Sequence, residues 1–161
     1  MKKIIFFLLM VFMGGTTLQD CYGAKSLPLP RFAALRASKV NMRVGPGEEY
    51  PKDWVYMRPG LPVKIVAEYD VWRQIEDMEG TRGWVHQSML SGKRTVCIKS
   101  ACHLLDSPSP RARPKALITE GYIAKLVECK GSYCRVMADT HKGWIETQHL
   151  WGLLDAEVGG E

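Results

Sequence analysis

Cys102 and His103 are the residues whose types could support nucleophilic catalysis, because a cysteine nucleophile needs a histidine base within hydrogen-bond reach. They are adjacent in the sequence, and successive residues of a strand point to opposite faces of a sheet. The imidazole of His103 would therefore face away from the thiol. A hydrolase built on these two residues is an alternative hypothesis, but the pattern favours a chain that is not an enzyme.

The histidines and the glycine-rich segment do not indicate a metal or cofactor site either. His86, His103, His141 and His149 show no metal-ligand spacing with one another or with the cysteines. The segment 45–47, Gly-Pro-Gly, has a proline where a phosphate-binding loop needs a backbone N–H donor. We therefore expect no catalytic residue, no metal and no cofactor.

Aromatic side chains are the stronger candidates, and they indicate binding. Tyr50, Trp54, Tyr69 and Trp72 fall at expected loop and hairpin positions of the first half of the chain. Such side chains offer a large, rigid contact area with a polar handle, which suits sugars and peptides. With Arg43 they form the predicted binding residues. The competing interpretation is that a small domain needs its aromatic residues for the core.

A repeated sequence supplies the elements that position these residues. RGWVHQSMLSG, residues 82–92, is echoed by KGWIETQHLWG, residues 142–152, and the segments before them align at an offset of 61. A shared period of this kind indicates two copies of one structural unit. We divide the chain into a first unit at 33–93 and a second unit at 94–155.

Each unit has the pattern of a small β-barrel. Short β-rich segments alternate with Gly and Pro, and five or so strands in about 60 residues are typical of such a barrel. The predicted fold is therefore all-β, with two small barrels in tandem. Residues 25–32 are expected to be a linker and residues 156–161 an acidic tail. Trp84 and Trp144 are expected to pack in a core or between the barrels.

Cysteine spacing predicts disulfides. Four cysteines follow the N-terminal region, and an even number in an exported chain suggests paired thiols. Cys129 and Cys134 bracket a four-residue hairpin loop, and Cβ atoms opposite each other across such a loop lie about 4.5–5.5 Å apart, close to the reach of a disulfide. The equivalent positions of the first unit carry a glutamate and an arginine. Elimination pairs Cys97 with Cys102, with a free buried thiol at Cys102 as the alternative.

The N-terminus predicts export. Two lysines precede residues 4–13, an uncharged apolar run, which is typical of a secretory signal peptide at residues 1–24. The run is shorter than the roughly 20 residues that a membrane-spanning helix needs. The alternatives are an uncleaved anchor and a lipoprotein signal at Cys21, where Asp20 occupies a site that needs a small neutral residue. We expect a periplasmic or otherwise exported protein, without a nucleic-acid partner, that meets the membrane only before cleavage.

The residues also resemble a known family. The resemblance rests on VNMRVGPGEEYP at 40–51, Gly60, Trp72 and Gly83-Trp84-Val85, which are similar to the strands and loops of bacterial SH3-like domains. Across residues 33–155 the layout resembles small periplasmic proteins with two such domains in tandem. The second unit departs from the pattern, because CHLLDSP at 102–108 replaces NMRVGPG. A ligand function of that loop is therefore in doubt for the second unit, which would then be mainly structural.

The resemblance implies binding rather than catalysis. The expected ligand is cell-wall peptidoglycan or its peptides, and the net charge of +5 favours contact with an anionic envelope. The alternative is a protein–protein interaction module of the periplasm, acting as an adaptor or an inhibitor.

Overall fold

The computed structural model describes residues 27–158, which form two antiparallel sheets of seven strands each. The first sheet contains β1 (Arg31–Leu35), β2 (Val40–Arg43), β3 (Lys52–Tyr56), β4 (Pro62–Tyr69), β5 (Trp72–Glu76), β6 (Arg82–His86) and β7 (Leu90–Ser91). The second contains β8 (Thr95–Ile98), β9 (Cys102–Leu105), β10 (Pro114–Ile118), β11 (Ile123–Lys130), β12 (Tyr133–Ala138), β13 (His141–Glu146) and β14 (Leu150–Trp151). The strand orders, β3-β2-β6-β5-β4-β1-β7 and β10-β9-β13-β12-β11-β8-β14, are the same. The predicted pair of tandem all-β units is confirmed.

Short 3₁₀ helices complete the two barrels. Gln87–Met89 and Thr147–His149 precede the last strand of each barrel, and Asp155–Glu157 follows the second barrel. Within residues 27–158, no helix is long and apolar enough to cross a membrane. β1 begins at Arg31, so the last two residues of the predicted linker belong to a strand. The predicted signal peptide at 1–24 lies outside the described residues.

The repeated glycine of the Gly-Trp segment has a packing role. A Cβ atom on Gly83 would lie 2.5 Å from Cγ of Met42, and one on Gly143 would lie 2.5 Å from Cγ of Leu104. Met42 and Leu104 are fully buried in the two cores. Each barrel therefore packs a core side chain directly against this glycine, which explains why both copies keep it.

The tryptophans of these segments do not lie in the cores, so the core alternative of that prediction was wrong. Trp84 and Trp144 are half-buried, whereas the next residues, Val85 and Ile145, are fully buried core residues. Because adjacent strand residues point to opposite faces, each tryptophan lies on the outer face of its sheet. The guanidinium of Arg135 lies 5.6 Å from the ring centroid of Trp144.

The predicted hairpin disulfide is present. Cys129 and Cys134 are opposite each other in the register of β11 and β12 and are joined by a disulfide. Glu68 and Arg73 are opposite each other in β4 and β5, and Arg73 Nε lies 3.0 Å from Glu68 Oε1. The two barrels thus link equivalent strand positions, one covalently and the other by an ion pair.

The predicted bond between Cys97 and Cys102 is absent, because both residues are free thiols. Val96 and Ile98 belong to the core of the second barrel and Cys97 does not, so its side chain points out of that barrel. Cys102 belongs to the core, on a strand that does not pair with β8. The two thiols therefore face different environments, and burial raises the pKa of both.

The barrels contact each other through the outer side of β1 and β8. Ala34 and Cys97 occupy equivalent positions and are each 1% exposed, although neither belongs to a barrel core. The rings of Phe32 and Trp151 meet edge to face with centroids 5.5 Å apart. A further contact is a 2.7 Å hydrogen bond from the Thr95 hydroxyl to the carbonyl of Gly60. The two barrels therefore share a packed boundary.

Candidate functional site

A shallow groove of about 320 Å³ lies on the outer face of the first barrel. Among its lining residues are Asn41, Arg43, Glu48, Trp72, His86 and Ser88, and we call it the Trp72 groove. Asn41 and Arg43 alternate along β2 with the buried core residues Val40 and Met42. The alternation directs the two polar side chains away from the core and into the groove. Two of the five predicted binding residues, Arg43 and Trp72, therefore meet here.

The loop after β2 fixes one wall of the groove. Arg43 Nη1 donates a 2.6 Å hydrogen bond to the backbone carbonyl of Tyr50, which ties the loop end to the strand. A Cβ atom on Gly45 would lie 2.4 Å from Cδ1 of Tyr50, so the tyrosine ring rests directly on the glycine backbone. Tyr50 is 40% exposed beside the groove. The Arg-Val-Gly-Pro-Gly sequence thus holds the guanidinium and the aromatic ring close together.

The opposite wall is formed by an aromatic pair. Trp72 and His86 are partners in the register of β5 and β6, and their rings meet edge to face with centroids 5.6 Å apart. His86 Nδ1 accepts a hydrogen bond of 3.2 Å from the backbone N–H of Ser88. Nδ1 is therefore the acceptor of the neutral imidazole, and its proton lies on Nε2. That N–H is a donor available on the ring.

Asn41 supplies the most informative polar atom of the groove. Its Oδ1 is buried and has no hydrogen-bond partner among residues 27–158. A buried carbonyl without a donor costs on the order of 1–3 kcal/mol. A ligand N–H placed in the groove could relieve that cost. Lys39 and Arg43 place positive charge around the same groove, and Glu48 places one negative charge there.

The other predicted binding residues lie elsewhere. Trp54 is 56% exposed on the edge strand β3, and Tyr69 is 63% exposed at the tip of the β4–β5 hairpin. Neither lines the Trp72 groove. Conversely, Asn41 and His86 line the groove and were not predicted. The Asn-x-Arg pattern could have indicated the asparagine, but only the pairing of β5 with β6 brings His86 beside Trp72.

The second barrel has a groove of about 290 Å³ at the equivalent place, with different chemistry. Leu105 pairs with Trp144 in the second barrel, as Arg43 pairs with Trp84 in the first, so Leu105 replaces Arg43. His103 takes the place of Asn41, and Glu146 takes that of His86. The second groove therefore lacks the guanidinium and the orphan carbonyl of the first.

Sequence comparison identifies the class to which these two barrels belong. The profile of the bacterial SH3 domain family matches residues 36–92 and again residues 99–152. The two matches cover more than half of the chain, and each lies within one barrel, starting directly after its first strand, β1 or β8. The chain therefore belongs to the bacterial SH3 domain family, with two copies of the domain in tandem.

Other comparisons add distant similarities. The structure of NlpC1 from Trichomonas vaginalis is similar at 10% identity and a TM-score of 0.36, over 79% of this chain and 47% of that one. NlpC2 from the same organism is similar at 11% identity and a TM-score of 0.37, over 84% of this chain and 52% of that one. The chain thus spans about half the length of each. No curated protein sequence matches it.

Proposed function

We propose that the chain is an exported, non-catalytic binding protein that associates with cell-wall peptidoglycan or its peptides through the Trp72 groove. Membership of the bacterial SH3 domain family supports a cell-wall-associated module. The observation that carries the proposal is the buried Oδ1 of Asn41 beside Arg43 and Trp72, which has no hydrogen-bond partner within residues 27–158. This arrangement offers an acceptor for a peptide N–H, a cation for a carboxylate and an aromatic wall for apolar groups.

The test is co-sedimentation of the oxidised protein with purified sacculi over a salt series. Binding is expected at low salt and should weaken as salt screens the contribution of Arg43. The decisive variants are Arg43→Leu and Asn41→His, because the second barrel already carries these residues at the equivalent positions. Each should reduce pelleting about tenfold if it removes roughly 1.4 kcal/mol of binding free energy.

The matched control is Trp54→Ala, which removes an exposed aromatic residue outside the groove. It should leave pelleting unchanged. Protein that stays in the supernatant at low salt would contradict wall association. Pelleting that survives Arg43→Leu but not Trp54→Ala would move the site to β3.

A protein–protein interaction module is the second candidate, and the edge strand β3 favours it. Trp54, Val55 and Met57 on or beside this strand are 56%, 39% and 64% exposed. An exposed edge strand with apolar side chains can pair with an extended segment of another protein. Crosslinking in intact cells would then capture a salt-tolerant partner that Trp54→Ala loses and Arg43→Leu keeps.

A further inference from the structure

The first barrel has a second groove, at the end of the barrel rather than on the outer face of its sheet. It measures about 370 Å³, and the core residues Ala33, Ile65 and Leu90 form its floor. Arg31, Arg36 and Arg73 stand around it, and we call it the Arg31 groove. Arg73 and Trp72 are neighbours on β5 and point to opposite faces, so the two grooves are separate surfaces.

The Arg31 groove carries an excess of positive charge. Glu68 forms ion pairs with Arg31 and with Arg73, so one carboxylate faces two guanidinium groups. The side chain of Arg36 forms no ion pair or hydrogen bond within residues 27–158 and is exposed. No lining residue of the groove is acidic among the described residues. An apolar floor below one unpaired arginine, Arg36, and two arginines that share a single carboxylate favours a ligand that is both acidic and apolar.

The second barrel shows what covers the equivalent surface. Arg94 occupies the position of Arg31, directly before the first strand of its barrel. Its Nη2 donates to both carboxylate oxygens of Glu157, at 2.8 and 2.6 Å, and to the carbonyl of Gly152 at 3.0 Å. Leu153 packs against the core of the second barrel. The C-terminal segment thus covers part of this barrel end with one carboxylate and one apolar side chain.

The first barrel cannot close its own end in this way. After Gly92 the chain passes through Lys93 and directly into the second barrel, with β8 beginning at Thr95. In the second barrel, six further residues after the equivalent Gly152 are described, and they turn back towards Arg94. The two barrels differ here because of how the chain continues after the last strand. They share the apolar floor and the arginine at its edge, Arg31 in the first barrel and Arg94 in the second.

We propose that the Arg31 groove binds an acidic segment of a partner protein, in the way that the second barrel binds residues 153–157 of its own chain. A carboxylate of the partner would contact Arg36 and Arg31, and flanking apolar side chains would cover the floor. This binding site goes beyond wall association, because it lies on a different surface from the Trp72 groove and selects a different ligand.

The probe for this site is a fluorescent peptide with the sequence GLLDAEVGG, which copies residues 152–160. Fluorescence anisotropy with the purified protein at low salt should show saturable binding. Arg36→Glu should weaken binding about tenfold, since it replaces an attraction with a repulsion at the groove rim. A peptide with Glu157→Gln should lose affinity to a similar degree.

The matched control variant is Lys99→Glu. Lys99 is the equivalent of Arg36 in the second barrel, since the backbone N–H of Arg36 bonds the carbonyl of Met89 and that of Lys99 bonds the carbonyl of His149. The Lys99→Glu variant should leave peptide binding unchanged. Loss of binding in Lys99→Glu with retention in Arg36→Glu would mean that the peptide only displaces the tail, and the proposal would be overturned.

Two further outcomes would also overturn the proposal. One is the absence of saturable binding at low salt while circular dichroism shows a folded protein. The other is displacement of the bound probe by purified muropeptides, which would assign the groove to a wall ligand rather than to a protein segment.

Discussion

Replacing Tyr56 with phenylalanine should lower the stability of the first barrel by about 1.5–3 kcal/mol, the usual value of a hydrogen bond to a charged group. The Tyr56 hydroxyl donates to Oδ2 of Asp77 at 2.8 Å, and Asp77 is only 6% exposed. The other carboxylate oxygen accepts from the backbone N–H groups of Glu79 and Thr81 at 3.1 and 2.8 Å. Phenylalanine would leave this buried carboxylate one donor short.

The measurement is urea unfolding followed by far-ultraviolet circular dichroism. The matched control is Tyr50→Phe, because Tyr50 is 40% exposed and its hydroxyl makes no hydrogen bond among the described residues. The control should stay within about 0.5 kcal/mol of the parent protein, as surface substitutions usually do. A loss below about 0.5 kcal/mol for Tyr56→Phe would refute the assigned role of the hydroxyl.

Alkaline pH gives a second readout of the same hydrogen bond. Burial raises the pKa of Tyr56 well above its ordinary value of 10.0, and the hydrogen bond and charge of Asp77 raise it further. Below that ordinary value the phenol is protonated in both states, so its titration does not affect stability. Above it the phenol ionises in the unfolded chain first, and the free energy of unfolding falls. The advantage of the parent over Tyr56→Phe should therefore shrink progressively as pH rises above about 10.

Three other perturbations have defined outcomes. Gly83→Ala should lower stability by about 1–3 kcal/mol, because the new Cβ is forced against Met42 in the core. The control Gly92→Ala should not lower it, because its Cβ meets nothing within 4 Å. Thermal melting followed by circular dichroism compares the two variants. Reducing the bond between Cys129 and Cys134 should cost at most about 2 kcal/mol, because it closes a short loop; a larger loss in urea unfolding would contradict an entropic origin. A hydrogen bond from Arg31 lowers the pKa of Glu68, so the free energy of unfolding should fall as pH drops below 4.5. A Glu68→Gln variant that keeps the full acid dependence would refute this contribution.

The sequence predicted the fold because its repeat carries register information. Aligning the two copies placed Glu68 and Arg73 on Cys129 and Cys134, and the structure pairs both sets across a hairpin. The predicted bond between Cys97 and Cys102 was wrong, because pairing cysteines by elimination ignores the direction of the side chain. The outer face of β8 is buried by the neighbouring barrel, and nothing in a single strand's sequence shows that a second barrel covers it.

The groove was predicted only in part for a similar reason. Arg43 and Trp72 belong to recognisable loop and hairpin motifs, so the sequence indicated both. His86 reaches the groove through the pairing of β5 with β6, a contact between strands whose register the sequence does not specify. Trp54 has the same residue type as Trp72, but its edge strand leaves it exposed and away from the groove.

The two barrels differ in which surfaces they close within the chain. The second barrel covers part of its end with the Cys129–Cys134 bond and the Glu157 segment, and Leu105 removes the cation from its outer groove. The first barrel retains arginines at both surfaces and, within the described part of the chain, a buried Asn41 carbonyl without a donor. Internal contacts thus cover the end of the second copy, and the first copy has no equivalent cover within residues 27–158. This asymmetry supports a division in which the second barrel stabilises the shared boundary and the first barrel presents the two proposed binding surfaces.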